Sequence, residues 1–165
     1  LKWLKVLKRE KYLSSDDTLT KLIQYVPKIC LNKYILWTHV TSPKFDEKDY
    51  LKFIERFFRM IKKRSLSKSV FSADLIQKFV LNHNYNWVSH DYKRKKWPRT
   101  QDLKPLYIIN SAAFLSFRDV YIKEKDRLCK NPLPIISRRN SGFDIDTLED
   151  FIELKNELNI KKFTS

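Results

Sequence analysis

The sequence predicts an α/β layer fold built on a mainly parallel sheet, and two observations carry that expectation. Segments of strand character alternate with segments of helical period along the chain. The strand segments also read as continuous apolar runs rather than strict alternation, the pattern of strands covered on both faces. A length of 165 residues suits one domain able to bury a proper core. An apolar fraction of 42% and an aromatic fraction of 14% stand against disorder, although 32% of the side chains are charged.

The elements follow in order. Residues 1–8 read as the end of an amphipathic helix, with Leu1, Leu4 and Leu7 near helical spacing. Ser15 or Asp16 can cap a second helix from about Thr18 to Val26, whose Leu19, Leu22, Ile23 and Val26 share one face. Pro27 marks its end. Lys33 to Val40 is a β-rich run closed by Thr41-Ser42-Pro43, a buried strand delivering a loop. Asp46 caps the next helix, with Asp49 three residues on and Tyr50, Ile54, Phe57 and Ile61 as its apolar stripe. Arg56, Arg59, Lys62, Lys63 and Arg64 gather at its last turns, where cations complement the helix dipole; a solvated helix end explains them more simply than a binding patch.

Ser69 to Ser72 is a short strand, and residues 78–88 form a hairpin turning at Asn82-His83-Asn84. The basic stretch to Arg99 is a loop, and Tyr107 to Phe117 is a second buried strand. Arg118 to Lys125 is helical and Pro132 to Ile136 a strand. Thr147 to Leu158 closes the chain as a helix with Leu148, Phe151, Ile152 and Leu158 inward. No internal repeat or low-complexity segment interrupts this order.

Composition excludes several chemistries. One glycine cannot build a Walker-type phosphate loop, a G-x-G-x-x-G turn or a G-x-S-x-G elbow within these residues. No apolar run approaches the roughly 18 residues of a membrane span. Lys2, Lys5 and Lys8 spoil any signal-peptide apolar core, so the expected location is cytoplasmic. Cys30 and Cys129 form no C-x-x-C pair, and His39, His83 and His90 do not join them at zinc spacing; they read as reduced, mostly buried thiols. A first residue of Leu reads as a processed or truncated piece.

Charge points to an anionic partner. Lys and Arg number 34 against 19 Asp and Glu, a net charge of +15. The basic excess peaks at 91–99, where Lys93, Arg94, Lys95, Lys96 and Arg99 face only Asp91. Residues 141–165 reverse the sign, with six acidic side chains against three lysines, and they open with Gly142-Phe143-Asp144-Ile145-Asp146-Thr147. In α/β sheets ligands bind beyond the carboxyl ends of the strands. Thr41-Ser42-Pro43, the 99–112 segment and the Asp144-Ile145-Asp146 segment all fall there. One turned residue in the last can aim both carboxylates at a hard cation, with Ile145 returning to the core. The plainer alternative is that both aspartates cap the final helix.

Together these segments resemble the acylneuraminate cytidylyltransferase (CMP-sialic acid synthetase) family. Residues 9–18 (REKYLSSDDT) are similar to its Arg-x-x-x-Leu-x-x-Asp stretch, and 37–43 (WTHVTSP) to its L-Q-P-T-S-P strand end. Residues 99–107 (RTQDLKPLY) resemble its R-x-Q-D-L-P-P-x-Y, followed by IINSAAF in place of R-x-N-G-A-I-Y. Residues 143–151 (FDIDTLEDF) resemble its D-I-D-T-x-x-D-F. The resemblance implies a three-layer, Rossmann-like fold of the nucleotide-diphospho-sugar transferase type, here a single partial domain over 1–165, truncated at the N-terminus.

It further implies Mg²⁺-dependent attack of an acidic sugar's anomeric hydroxyl on the α-phosphate of CTP, giving a CMP-sugar and pyrophosphate. Asp144 and Asp146 would hold the Mg²⁺, and Arg99 would meet the sugar acid or a phosphate. Arg9 would bind the nucleotide, Lys78 would lie near the triphosphate, and Thr41 and Ser42 would form the pocket floor. Gln101 and Asn110 would line the pocket, and a homodimer through the middle of the chain is implied. The chain departs from the pattern in four places. The family's P-A-R-x-G-S-K-x-I-P-x-K-N segment has no counterpart, so CTP affinity is expected to be below normal. His39 stands for a frequent glutamine, Ile108 for an arginine and Ser111 for a glycine. A partner-binding or inactive remnant of the family is the alternative. A basic nucleic-acid module using Trp87, Tyr92 and Trp97 among the cations of 91–99 is the weaker one, since no reader motif accompanies it.

Overall fold

A computed structural model describes residues 5–8, 13, 19–63 and 67–158. The expectations that fall on Leu1, Leu4, Arg9, Ser15, Asp16 and Arg64 lie outside the described residues. Residues 5–8 carry no helix, with Val6 and Leu7 exposed.

The helices are α1 (Leu19–Ile29), α2 (Glu47–Lys62), α3 (Arg118–Lys123) and α4 (Leu148–Leu158). The strands are β1 (Tyr34–Thr38), β2 (Ser69–Ile76), β3 (Leu106–Phe117) and β4 (Leu133–Ile136), in the sheet order β1-β3-β2-β4. Pro27 does not end α1 but sits in its last turn, and the helix continues to Ile29. Asp46 caps α2 as its spacing foretold: its carboxylate accepts from the N–H groups of Lys48 and Asp49, and the Asp49 carboxylate accepts the Asp46 N–H. Arg138, just beyond β4, bonds the carboxylates of Asp46 and Asp49 and the carbonyl of Lys44, fastening this cap to the sheet.

Helices cover both faces. On one, Phe53 and Phe57 of α2 pack against Val70, Ala113, Leu115 and Ile135. Phe53 and Phe57 are each 1% exposed, and truncating a phenylalanine so buried costs about 3–5 kcal/mol. Phe53 therefore belongs to the inward stripe, beside Phe57, while Tyr50, Ile54 and Ile61 flank it half-buried. On the other face α1 and α3 bury Ile23, Val26 and Tyr121 against Ile35, and Trp37, Phe71, Ala73 and Phe114 continue the core. This is a three-layer α/β fold.

The expectation of a mainly parallel sheet needs correction. β1, β2 and β4 point the same way, but β3 lies between β1 and β2 and runs against both; only β2 and β4 pair in parallel. The physical reason is the connection after β2. It is an excursion that returns to the end of the sheet it left, so the next strand must run back, whereas a parallel return needs a crossover to the opposite end.

Helix α4 corrects the sequence in a second way. Leu148, Phe151 and Ile152 face solvent and Leu154 is the buried residue, so the apolar face is real but turned away from the core. The side chain of Leu158 lies outside the description. Cys30 is exposed and Cys129 half-buried, not buried as expected. Cys30 follows α1, and its carbonyl, with that of Pro27, accepts from the Arg118 guanidinium.

Candidate active site

The site begins with an irregularity in β3. Phe71 pairs with Phe114, but Ala73, two residues on, pairs with Ile109, so residues 110–113 of β3 bulge out of the ladder with β2. Ser111 takes φ 62°, a left-handed conformation that disfavours any residue with a Cβ. The bulge leaves the Ala113 N–H to be taken by Ser72 Oγ at 2.9 Å. It also drives Asn110 inward, where Nδ2 donates to Asp74 Oδ1 at 3.2 Å and to Ser137 Oγ at 3.0 Å. Asn110 thus joins the carboxyl ends of β2 and β4. Gly142 is required here by space: a Cβ on it would overlap the Asn110 amide and come within 2.8 Å of its Cβ. Its φ is not in the left-handed region, so close approach, and not the turn, explains the glycine.

The segment after Gly142 is moored to the loop after β1. The Ile145 N–H donates to the Thr41 carbonyl at 2.9 Å, and buried Ser42 donates from Oγ to Asp144 Oδ1 at 3.5 Å. Asp146 is exposed. Neither aspartate carboxylate caps α4. Thr147 and Asp150 do that: Asp150 Oδ2 accepts the Thr147 N–H at 2.8 Å and the Asp146 N–H at 3.1 Å, and Thr147 Oγ1 accepts the Asp150 N–H. The bonds from Thr147 hold the Asp150 carboxyl below its usual pKa. Asp144 and Asp146 take part in no ion pair among the described residues. Two carboxylates outside any ion pair are the donor type a hard divalent cation takes when it shares its shell with phosphates and water, although no group of three or more such ligands gathers among the described residues.

Beyond the ends of β2 and β4 lies a cavity of about 700 Å³, lined by Asp74, Lys78, Ser137, Arg139, Phe143 and Glu153 among others. Lys44 pairs with Glu157 at its rim, which leaves Lys78 and Arg139 as cations outside any ion pair among the described residues. Gln77, beside Lys78, donates to the carbonyls of Gln101 and Leu103 at 3.0 Å and so holds the 3₁₀ turn of Thr100–Asp102 against β2. Gln101 is exposed on that turn. Arg99 forms a two-pronged bond with Asp102, 3.1 Å on each side, and its side chain is 72% exposed.

The structure therefore brings Thr41, Ser42 and Asp144 together, and joins Asn110 to the wall of the cavity that holds Lys78. It sets Arg99 and Gln101 on an exposed turn. Sequence reasoning missed Asp74, Ser137 and Arg139, and it gave no role to Arg127. That side chain lies over Phe114, with Cζ 3.6 Å from the ring centre, and approaches His39 Nε2 at 3.2 Å. Burial, and then the Arg127 charge, draw the His39 pKa down, while Asp144 pulls it up. None of the four missed residues, Asp74, Arg127, Ser137 and Arg139, lies in a motif that could have flagged it.

Comparison with known proteins finds likeness at two levels, in a stretch of sequence and in the fold. The N-acylneuraminate cytidylyltransferases of three Streptococcus agalactiae strains, of serotypes III, Ia and V, are each 36% identical to the chain over 56 residues. That stretch takes in 34% of this chain and 14% of the length of those relatives. No family model matches. Among solved structures, the 4-diphosphocytidyl-2C-methyl-D-erythritol synthase of Anaerococcus prevotii superposes with a TM-score of 0.61 at 14% identity, over 88% of this chain and 68% of that one. The likeness is one of fold. That fold supplies the layers and strand ends on which Thr41, Asn110 and Asp144 are set.

The basic loop has a structural use of its own. Trp87 stacks on Tyr92 with centroids 5.6 Å apart, and Phe79 and Trp97 meet Trp87 edge-on. Its aromatics thus pack chiefly on one another, although Trp97 stays 66% exposed. No helix among the described residues is long and apolar enough to cross a membrane.

Proposed function

We propose that this chain forms part of a cytidylyltransferase site that moves CMP from CTP to an acidic, sialic acid-like sugar. The observation that carries the reading is that Asp144 and Asp146 are left unused by the helix they precede, while Ser42 and Thr41 moor their segment to the end of β1. In the reaction the anomeric oxygen bonds to the α-phosphorus as the bond to the bridging oxygen breaks. The hydroxyl loses its proton and pyrophosphate leaves with the electron pair. Asp144 and Asp146 would hold Mg²⁺, which when bound offsets the charge of the triphosphate. Lys78 and Arg139 face the cavity with the remaining positive charge, and Asn110 keeps Asp74 and Ser137 in place beneath it. Ser42 orients Asp144. A homodimer accords with Tyr107, Ile108 and Ile109, which leave an apolar stretch of β3 exposed.

The test is Asp146→Asn in the full-length protein, assayed for CMP-sugar formation across a Mg²⁺ titration. The expected result is a loss of about 100-fold or more in turnover and a weakened Mg²⁺ dependence, the scale on which removing one group from a charge-stabilising site acts. Unchanged turnover with an unchanged Mg²⁺ dependence excludes the metal assignment.

A further inference from the structure

Arg127 is held in place by groups that are not carboxylates. Its guanidinium lies over Phe114, with Trp37 at 5.5 Å, and Nη1 points at His39 Nε2. The same Nε2 accepts the Trp37 indole N–H at 3.0 Å. Both neighbours of that nitrogen can only donate, so the proton of neutral His39 resides on Nδ1. One of the five N–H donors of the guanidinium is used, and the rest meet no protein acceptor among the described residues. No Asp or Glu pairs with Arg127 among them either. A half-buried cation in that state is costly to keep unless an anion completes it.

The chain around Arg127 is fixed. Leu128 packs on the Phe71 and Phe114 cluster, and the Cys129 N–H donates to Ser69 Oγ at 2.8 Å. The location is also specific. His39 follows the last residue of β1, two residues before Thr41, and the charge of Asp144 reaches its ring. Arg99, by contrast, is spent on Asp102 in open solvent.

We propose that Arg127, seated on Phe114 and oriented by His39, is a specificity-determining residue that pairs with a carboxylate or phosphate oxygen of the substrate at the end of β1. It takes the part that the family resemblance implied for Arg99. The proposal rests on the cytidylyltransferase reading for the identity of the substrate, and on the geometry alone for the presence of an anion site.

The full chain is titrated calorimetrically with N-acetylneuraminic acid, with its methyl ester and with inorganic pyrophosphate. The parent protein takes the acid about tenfold or more tighter than the ester, or binds pyrophosphate, as a charge-assisted pair requires. Arg127→Met keeps the stem on the rings, removes the charge and loses that binding by about tenfold or more, while Arg127→Lys is intermediate. Loss of the acid-over-ester preference identifies a carboxylate; loss of pyrophosphate binding alone identifies a phosphate. A merely structural Arg127 would lower the melting temperature without moving that preference. The proposal is overturned if both variants bind the probes as the parent does, or if the parent binds neither. Should Arg127→Met not fold, Arg127→Lys decides alone, and parental affinity in it overturns the proposal. CMP-sugar formation by the full-length protein reports separately on the cytidylyltransferase reading, and it can fail while Arg127 still answers to an anion.

Discussion

Gly142 shows how a single position can be important for a reason other than the one its residue type suggests. A lone glycine before an Asp-x-Asp segment suggests a turn, yet the backbone there is ordinary and the constraint is the Asn110 amide packed against its Cα. Gly142→Ala is therefore expected to displace Asn110 from Asp74 and Ser137 and to destabilise the fold by about 1–3 kcal/mol, the usual cost of overpacking. Urea unfolding measures it, and an unchanged midpoint refutes the packing account. His39 supports a second prediction at this scale. Its pKa lies below the ordinary 6.5 because of burial and then the Arg127 charge. The unfolded chain then binds the proton first as pH falls, so the stability is complete above about pH 6.5 and declines through and below that value. His39→Gln should flatten the fall in melting temperature between pH 7 and pH 5. Neither Arg127 nor the buried Tyr121 hydroxyl, which has no hydrogen-bond partner among the described residues, was legible beforehand, because their surroundings come from residues far off in the chain.

Elements were more legible than their surroundings. Asp46 was readable as the cap of α2, and the structure makes it half of a capping box with Asp49. Thr147 and Asp150 form the same device at α4, which the sequence left hidden behind two more conspicuous aspartates. Thr147→Ala should cost about 1 kcal/mol of stability, the ordinary worth of a helix cap, without altering the bond from Ser42 to Asp144. Differential scanning calorimetry gives the first; if Asp144→Ala costs as much as Thr147→Ala, the division of labour between the two segments is wrong. Helical period identified the apolar residues of α4 but not which way they face. Leu148, Phe151 and Ile152 are as periodic outside the core as they would be within it. Strand direction was equally invisible: the apolar run of β3 is the same read from either end, and the excursion after β2 sets its sense.

At the scale of the molecule, the three-layer arrangement was readable because alternating strands and helices leave few other ways to bury two faces of one sheet. The charge of +15 was readable too, but not its organisation. Much of it is solvated, some is paired, as Arg138 is with Asp46 and Asp49, and the cations that matter to the proposed chemistry stand at the ends of the strands. The site is assembled from five separate stretches, after β1, at the end of β2, within β3, after β4 and before α4. Motif order preserved the three that resemble a family, and the tertiary contacts supplied the ends of β2 and β4. The most direct test of the central claim is a phosphorus NMR time course of the full-length protein with CTP, Mg²⁺ and N-acetylneuraminic acid. The account predicts the appearance of a CMP-sugar phosphodiester signal together with pyrophosphate. Intact CTP throughout, or its cleavage to CDP and inorganic phosphate, would contradict it.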